Sequence, residues 1–484
     1  MDLKALWSGF DWLIIAAYFV GILLVGVSMR KRAGKSVKSF YVASRKLTVP
    51  ILIGVGAAGW YDSWTIVGLA ECGWTMGISV ILVFVIPEAI LRLPLAVIIG
   101  PHVRDKIPDW VVTVPDMMKY LYSDKVKLIS AITYIANLLY DSALLFAIAE
   151  VLKLVSGMPM IVSLIVAGVV IAIYTALSGL WGLAVTDLIQ FAIMTVAVGS
   201  LMVGVIVKFG GLPVIWDKVE AIDPNLLTPT GGMSAWEAVA WAISACAMYC
   251  EAACYQRFGS ARSGRDIKTA YSLMLAMGVT FSTAMVIAGM AALAFFGDTA
   301  ASPASGFWSM VFTVLPVGFR GLFVAALCAA VMSTVSSDWL LFATCAVNDI
   351  YRGFINKGMS EEKTLFGMRI MVGVFGALCV VGTIFWADGI ANAWYYLGGF
   401  LFDMFFIPIV AGLFYKKKTR QGAMACIVYS GILYVVWEFI LGCPGGLPTS
   451  IVVAVTGAIL YFIVCNATYN KNNDKIDPNS LSEV

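Results

Sequence analysis

Residues 319–352 read FRGLFVAALCAAVMSTVSSDWLLFATCAVNDIYR, and this stretch decides the fold. It predicts one long apolar helix, yet one stripe carries Ala330, Ser333, Thr334, Ser337 and Asp338, with Ser336 alongside. Side chains three and four apart stack on one side of a helix, so the hydroxyls and the carboxylate converge on a narrow strip. Hydrocarbon does not tolerate such a strip, which must face a partner helix or a wet cavity. Ser and Thr alone read equally as hydrogen-bonding contacts between packed membrane helices. Asp338 exceeds what packing needs and marks a functional site.

Working outward, the 484 residues are 61% hydrophobic and 13% charged, with a mean hydropathy of +0.91. That composition places the chain among all-α polytopic membrane proteins and excludes a soluble multidomain one. About thirteen runs are long enough to cross hydrocarbon. They cover residues 11–29, 49–70, 76–100, 127–155, 160–178, 182–207, 235–255, 269–296, 320–347, 364–387, 391–414, 421–441 and 450–467, and are called spans one to thirteen below. Of the 32 Lys and Arg, 25 fall in the segments on one side of these runs, and Lys4, Lys208 and Lys218 fall on the other. Arg92, Lys153, Arg320 and Arg369 read as helix-end residues. The positive-inside rule then predicts an outside amino terminus and a cytoplasmic carboxy terminus in a cell (plasma or inner) membrane. The first run is followed, not preceded, by Arg30-Lys31-Arg32, so it reads as a retained span and not as a cleavable signal.

Ten cysteines lie mostly in apolar runs, where they act as small hydrophobes. Cys246, Cys250 and Cys254 would share one face of an unbroken helix, which leaves a thiol or metal site conceivable. With His102 the lone histidine, no His-based zinc site or Ser-His-Asp triad is available, and the chain does not read as an enzyme. The segment 108–122, PDWVVTVPDMMKYLY, suits a short helix lying against the bilayer. The tail 470–484 is polar.

Span two, PILIGVGAAGWYDSWTIVGLA, places Gly54, Gly56 and Gly59 just before Trp60, Tyr61 and Asp62. An acid beside a weakened helix at membrane depth predicts a discontinuous helix whose carbonyls can hold a cation. The alternative is an interfacial Asp on a Gly-packed helix. Span seven, rich in small residues, carries Glu251. If spans two and seven each begin a set of five helices, the second set is inverted in the membrane. The single membrane domain 1–484 then divides into a first helix 11–29, a first repeat 49–207, an inverted repeat 235–414, two peripheral helices 421–467 and the tail.

These residues resemble the solute:sodium symporters, whose core has an inverted five-plus-five fold like that of the LeuT transporter. The resemblance covers nearly the whole chain. It rests on FYVASRKL, TVPDMMKYLY, YTALSGLWGLAVTDLIQ, CYQRFGSARS, AALCAAVMSTVSSDWLLFATCAVNDIYR and GLFYKKKT in this order and spacing. It implies two discontinuous helices and a sodium site between spans two and nine. Carbonyls of Ala58, Tyr61 and Ala330 and the hydroxyls of Ser333 and Thr334 would form it. Such neutral oxygens replace the water of a hard ion while binding it weakly enough to release it. Some members hold a second sodium, and Ser333, Ser336, Ser337 and Asp187 match that set, so the cofactor is one Na+ or two. Asp187 alone reads equally as a helix cap or an inner-boundary residue.

Sugar carriers of the family place glutamine, asparagine and lysine where this chain has Thr65, Ser244 and Gly278, which argues against a sugar. In amine carriers of the same fold an aspartate in the broken helix pairs with the substrate ammonium, and Asp62 stands at that place. The resemblance thus implies a substrate cavity around Asp62, Trp60, Trp64, Thr65, Ser244, Met248, Glu251, Asp338, Trp394 and Tyr395. Its aromatic faces attract organic cations, although Trp and Tyr also form interfacial belts. A cationic amine is the favoured substrate, moved with sodium by alternating access. The rival within transport is a zwitterionic amino acid or a carboxylate, as for proline and pantothenate carriers. A channel would want a filter motif, and a membrane sensor on this fold would want a signalling domain; neither shows. The expected partners are the small-molecule substrate and the lipid bilayer, with no nucleic acid and no obligate protein partner.

Overall fold

The computed structural model describes residues 7–29, 36–384 and 399–470. Within them the chain is helical, and each predicted span has a helical counterpart. Nine helices among the described residues are long and apolar enough to cross a membrane, or ten with the bent pair Ala235–Cys250 and Ala252–Ser260 counted as one span. Spans two, four and eleven fall short for separate reasons. Span two is interrupted after Ala58. Span four divides at Asn137 and carries Asp141, Glu150 and Lys153. Of span eleven, Gly399–Phe414 lies within the described residues.

Span nine sits at the centre. Its most apolar window is 83% buried, against 22% for Gly9–Met29 at the periphery. Peripheral helices keep one apolar face for lipid, whereas this one meets protein all round. Its entry is fixed from span one, where Asp11 is fully buried. The Asp11 Oδ1 accepts the amides of Gly318 at 2.7 Å and Gly321 at 3.0 Å, which no carbonyl within the helix can satisfy. A carboxylate at this end also meets the positive pole of the helix dipole.

Further contacts join stretches that are far apart in sequence. Leu47, after FYVAS, donates its amide to Ser260 at 3.0 Å and pairs with Ala261 in an isolated parallel bridge. Gln256 Nε2 donates to the Tyr41 carbonyl at 2.9 Å, so the entry to span two is fastened to the exit from span seven. On the same face, Lys127 Nζ lies 2.6 Å from Asp116 and 3.2 Å from Asp349, joining TVPDMM to NDIYR. The segment 108–122 differs from expectation. Its helix starts at Val114 with a Thr113–Asp116 capping box, and Val114, Met117, Met118 and Leu121 are buried in protein. The apolar face therefore packs inward and does not lie on the bilayer.

Replacing Asp11 by Ala leaves two buried amides without an acceptor and is expected to destabilise the fold by ~2–3 kcal/mol. Asp11→Asn, which keeps an acceptor oxygen, should cost less. Thermal unfolding in detergent measures both, and an Asp11→Ala protein as stable as the parent would contradict this role.

Candidate functional site

Span two breaks where the sequence predicts. Val49–Ala58 ends at Gly59, and the amides of Trp60 and Tyr61 both turn back to the Ala57 carbonyl, at 3.1 and 2.9 Å. Helix resumes through a π turn at Trp64–Gly68 and continues in Leu69–Met76. The glycines have a second role beyond weakening the helix. A Cβ on Gly54 would stand 2.8 Å from Leu188 Cα, and one on Gly59 would stand 2.0 Å from Arg257 Nη2. Span two thus touches spans six and seven through its bare backbone.

The freed end of this helix meets the polar stripe of span nine. Ser333 Oγ lies 2.7 Å from the Ala58 carbonyl and 2.9 Å from the Ala330 carbonyl, with Thr334 Oγ1 3.3 Å from the latter. All four residues are buried. A hydroxyl has one hydrogen, so Ser333 donates to one carbonyl at a time. The cluster therefore has more acceptor than donor capacity, and its oxygens are all neutral. That donor set suits a monovalent hard cation. Tyr61 lies three residues beyond Ala58 in the same turn, its ring stacked on Phe281 at 4.1 Å.

The second predicted set lies deeper on span nine. Ser336 Oγ donates to the Ser333 carbonyl at 3.3 Å, and Tyr174 stands beside both Ser336 and Asp187. Asp187 is not a cap or a boundary residue. It lies inside the Gly179–Phe209 helix, fully buried, and neither of its oxygens nor the Ser337 hydroxyl has a hydrogen-bond partner among the described residues.

Above the break lies a cavity of about 80 Å³, room for several waters at the ~10–15 Å³ each requires. Trp60, Asp62, Trp64, Thr65, Met248, Glu251 and Asp338 line it, as does Thr334. Asp62 is held from two sides: Oδ1 accepts the Thr65 amide at 3.0 Å, and Oδ2 accepts Tyr140 Oη at 2.9 Å. Ser244 does not reach this cavity. Its hydroxyl turns back to the Trp241 carbonyl at 2.7 Å, and it lines a smaller space beside Glu438. Trp394 and Tyr395 lie outside the described residues. The three-cysteine face of span seven does not form, because the helix changes to a 3-10 turn at Ala245–Cys250, stops at Glu251 and resumes with a 48° bend.

The same cavity holds residues that the sequence reading left out. Arg92, expected at a helix end, is buried; its guanidinium lies 2.6 Å from Glu88, donates from Nε to the Ala245 carbonyl at 2.8 Å and covers the Trp60 ring at 4.4 Å. Glu88 also accepts Trp60 Nε1 at 3.2 Å. Tyr134, Asn137 and Tyr140 complete the wall from span four. A Glu and an Arg four residues apart within an apolar run were the available signal, since such a pair is costly in hydrocarbon.

Comparison with known proteins adds to this geometry. A family model described as the sodium:solute symporter family matches residues 40–429. The chain is 26% identical over 447 residues to the sodium/pantothenate symporter of Escherichia coli (strain K12), covering 87% of this chain and 89% of that protein. It is 22% identical over 438 residues to the osmoregulated proline transporter OpuE of Bacillus subtilis (strain 168), covering 87% of each. Among solved structures, a substrate-bound, outward-open Na+-coupled sialic acid symporter matches with a TM-score of 0.77 at 18% identity, over 95% of this chain and 98% of that one.

Ser333→Ala removes the hydroxyl that two carbonyls share. The sodium concentration giving half-maximal thermal stabilisation is expected to rise about tenfold or more, equivalent to ~1.4 kcal/mol. An unchanged midpoint would contradict the placement of the ion here.

Proposed function

The chain belongs to the sodium:solute symporter family, and from that premise we propose which residues bind the ions and what kind of solute they bring across. It is a multi-pass membrane carrier that couples sodium to the movement of a small solute by alternating access, and it is not an enzyme. Each ligand must bind one conformation better than the other, and that difference couples the two movements. We assign the main sodium ion to the carbonyls of Ala58, Tyr61 and Ala330 with the hydroxyls of Ser333 and Thr334. A second sodium is assigned to Ser336, Ser337 and Asp187. The carrier sits in the cell membrane with its basic loops inside, so the amino terminus is outside and the carboxy terminus cytoplasmic.

The solute we propose carries a protonated amine bound by Asp62. One observation supports this most: the cavity wall presents four acids, Asp62, Glu88, Glu251 and Asp338, and one guanidinium, that of Arg92, with a second, Arg257, behind the wall near Glu251. Arg92 is already engaged by Glu88 and the Ala245 carbonyl, which leaves an excess of acid for a cationic group. Asp62 accepts two hydrogen bonds from the protein, and a carboxylate has further lone pairs for a third donor. Trp64, Tyr134 and Tyr140 add aromatic rings to the lining, while the Trp60 ring already carries the Arg92 guanidinium. The presence of Arg92 supports a second reading, a zwitterion whose carboxylate faces that guanidinium while its ammonium faces Asp62. The named proline carrier among the relatives agrees better with this second form, and the named pantothenate carrier with a solute that offers Arg92 a carboxylate and has no ammonium for Asp62.

Uptake into proteoliposomes separates these readings. L-proline, pantothenate and a set of primary and quaternary amines are to be tested with an inward sodium gradient and with potassium in its place. Accumulation that ignores the sodium gradient would sink the coupling. For an amine or zwitterion, Asp62→Asn should lower uptake at least about thirty-fold, since truncating a buried charge pair costs ~2 kcal/mol or more. Sodium-dependent stabilisation should survive in that variant. Equal loss of both would reassign Asp62 to the ion.

A further inference from the structure

Arg257, in CYQRFGSARS, has no part in the assignments above. It lies on Ala252–Ser260, the second half of broken span seven, and is 1% exposed. Its Nε, Nη1 and Nη2 have no hydrogen-bond partner among the described residues. A guanidinium stays protonated in proteins. A buried charge without a partner is strongly disfavoured, so this one needs an anion at some stage of the cycle.

Tyr271 acts on its charge most strongly, and the acids whose charge reaches it are Glu251 and Asp187, with Asp338 further along span nine. Two of the three have other engagements. Glu251 and Asp338 line the substrate cavity, and Glu251 also accepts Cys254 Sγ at 3.6 Å. Asp187 lines neither that cavity nor any hydrogen bond among the described residues, is fully buried, and has Arg257 as its charged neighbour. Span two sets the spacing. Leu188, next to Asp187, touches its backbone at Gly54, and the guanidinium presses on Gly59. Gly54 and Gly59 are five residues apart, about 7.5 Å along a helix, so Asp187 and Arg257 come from elements that pack on neighbouring turns of the same segment.

We propose that Arg257 is a tethered counter-cation of Asp187: the guanidinium pairs with that carboxylate when the second sodium is absent and yields it when the ion binds. Sodium and guanidinium then compete for one carboxylate. The displaced guanidinium returns to Gly59, beside the Ala58 carbonyl of the main site. In this way the broken halves of spans two and seven sense the inner ion, and Arg257 acts as a positioning residue. The proposal rests on the assignment of Asp187, Ser336 and Ser337 to a sodium ion.

The test is thermal unfolding of the purified full-length carrier in a sodium chloride series, with potassium chloride holding ionic strength constant. Arg257→Gln should lower the half-maximal sodium concentration about tenfold, the gain from removing a competitor that occupies ~90% of the ion-free state. Gly59→Ala, whose Cβ pushes the guanidinium off the backbone toward Asp187, should raise it about threefold or more. Both shifts should vanish when combined with Asp187→Asn. An Arg257→Gln midpoint at or above that of the parent overturns the proposal, and so does a shift that persists beside Asp187→Asn. If Arg257→Gln does not fold, Gly59→Ala decides alone, and a midpoint at or below the parent's overturns it. A parent protein with no sodium-dependent stabilisation overturns the ion-site assignment and this proposal together; a stabilised parent with unmoved variants overturns the proposal alone.

Discussion

A helix broken inside a membrane leaves backbone groups that water cannot reach, and the rest of this molecule depends on how they are satisfied. At the end of Val49–Ala58 the Ala58 carbonyl finds the Ser333 hydroxyl at 2.7 Å, and that same hydroxyl reaches Ala330. One side chain thus joins the break in span two to the core of span nine. Because one hydrogen serves two carbonyls, the junction is complete with a cation and under-supplied with donors without one. An ion bound there, as we propose, would link the two helices and so supply the physical root of coupling.

The surrounding architecture holds both sides of that link in register. Asp11 fixes the start of span nine from outside the repeats, and Lys127 ties its far end to the segment after span three. Leu47 and Gln256 fasten the entry of one broken helix to the exit of the other. The stretches that carry the family resemblance are therefore contact partners in space. Of these junctions, the one between FYVASRKL and CYQRFGSARS lies at the ends of the two broken helices, and the one made by Lys127 lies at the far end of span nine.

Much of this was legible in the sequence because hydrocarbon makes polar residues conspicuous. Ser333 and Thr334 stand out in an apolar run, and Asp62 stands out beside three glycines. The same reasoning applies to Glu88 and Arg92, which share an apolar helix; weighing Arg92 only as a basic helix end hides its pairing. Tyr140 was not legible, because a tyrosine in a membrane helix has ordinary interfacial roles and its bond to Asp62 crosses between spans. Ser244, placed by resemblance alone, lies before the turn of span seven and lines the space beside Glu438; the cysteine stripe failed for another reason. Helical spacing assumes continuous helix, and the 3-10 turn with the stop at Glu251 rotates everything that follows. Sequence pattern found that span seven was unusual but not the residue at which its register changes.

The central claim is that sodium joins the break of span two to span nine, and hydrogen–deuterium exchange of the intact carrier measures it most directly. Peptides covering residues 54–68 and 328–340 should exchange more slowly in sodium than in potassium at equal ionic strength, while peptides of the peripheral helices stay unchanged. Equal exchange of the 54–68 peptides in the two salts would contradict the account.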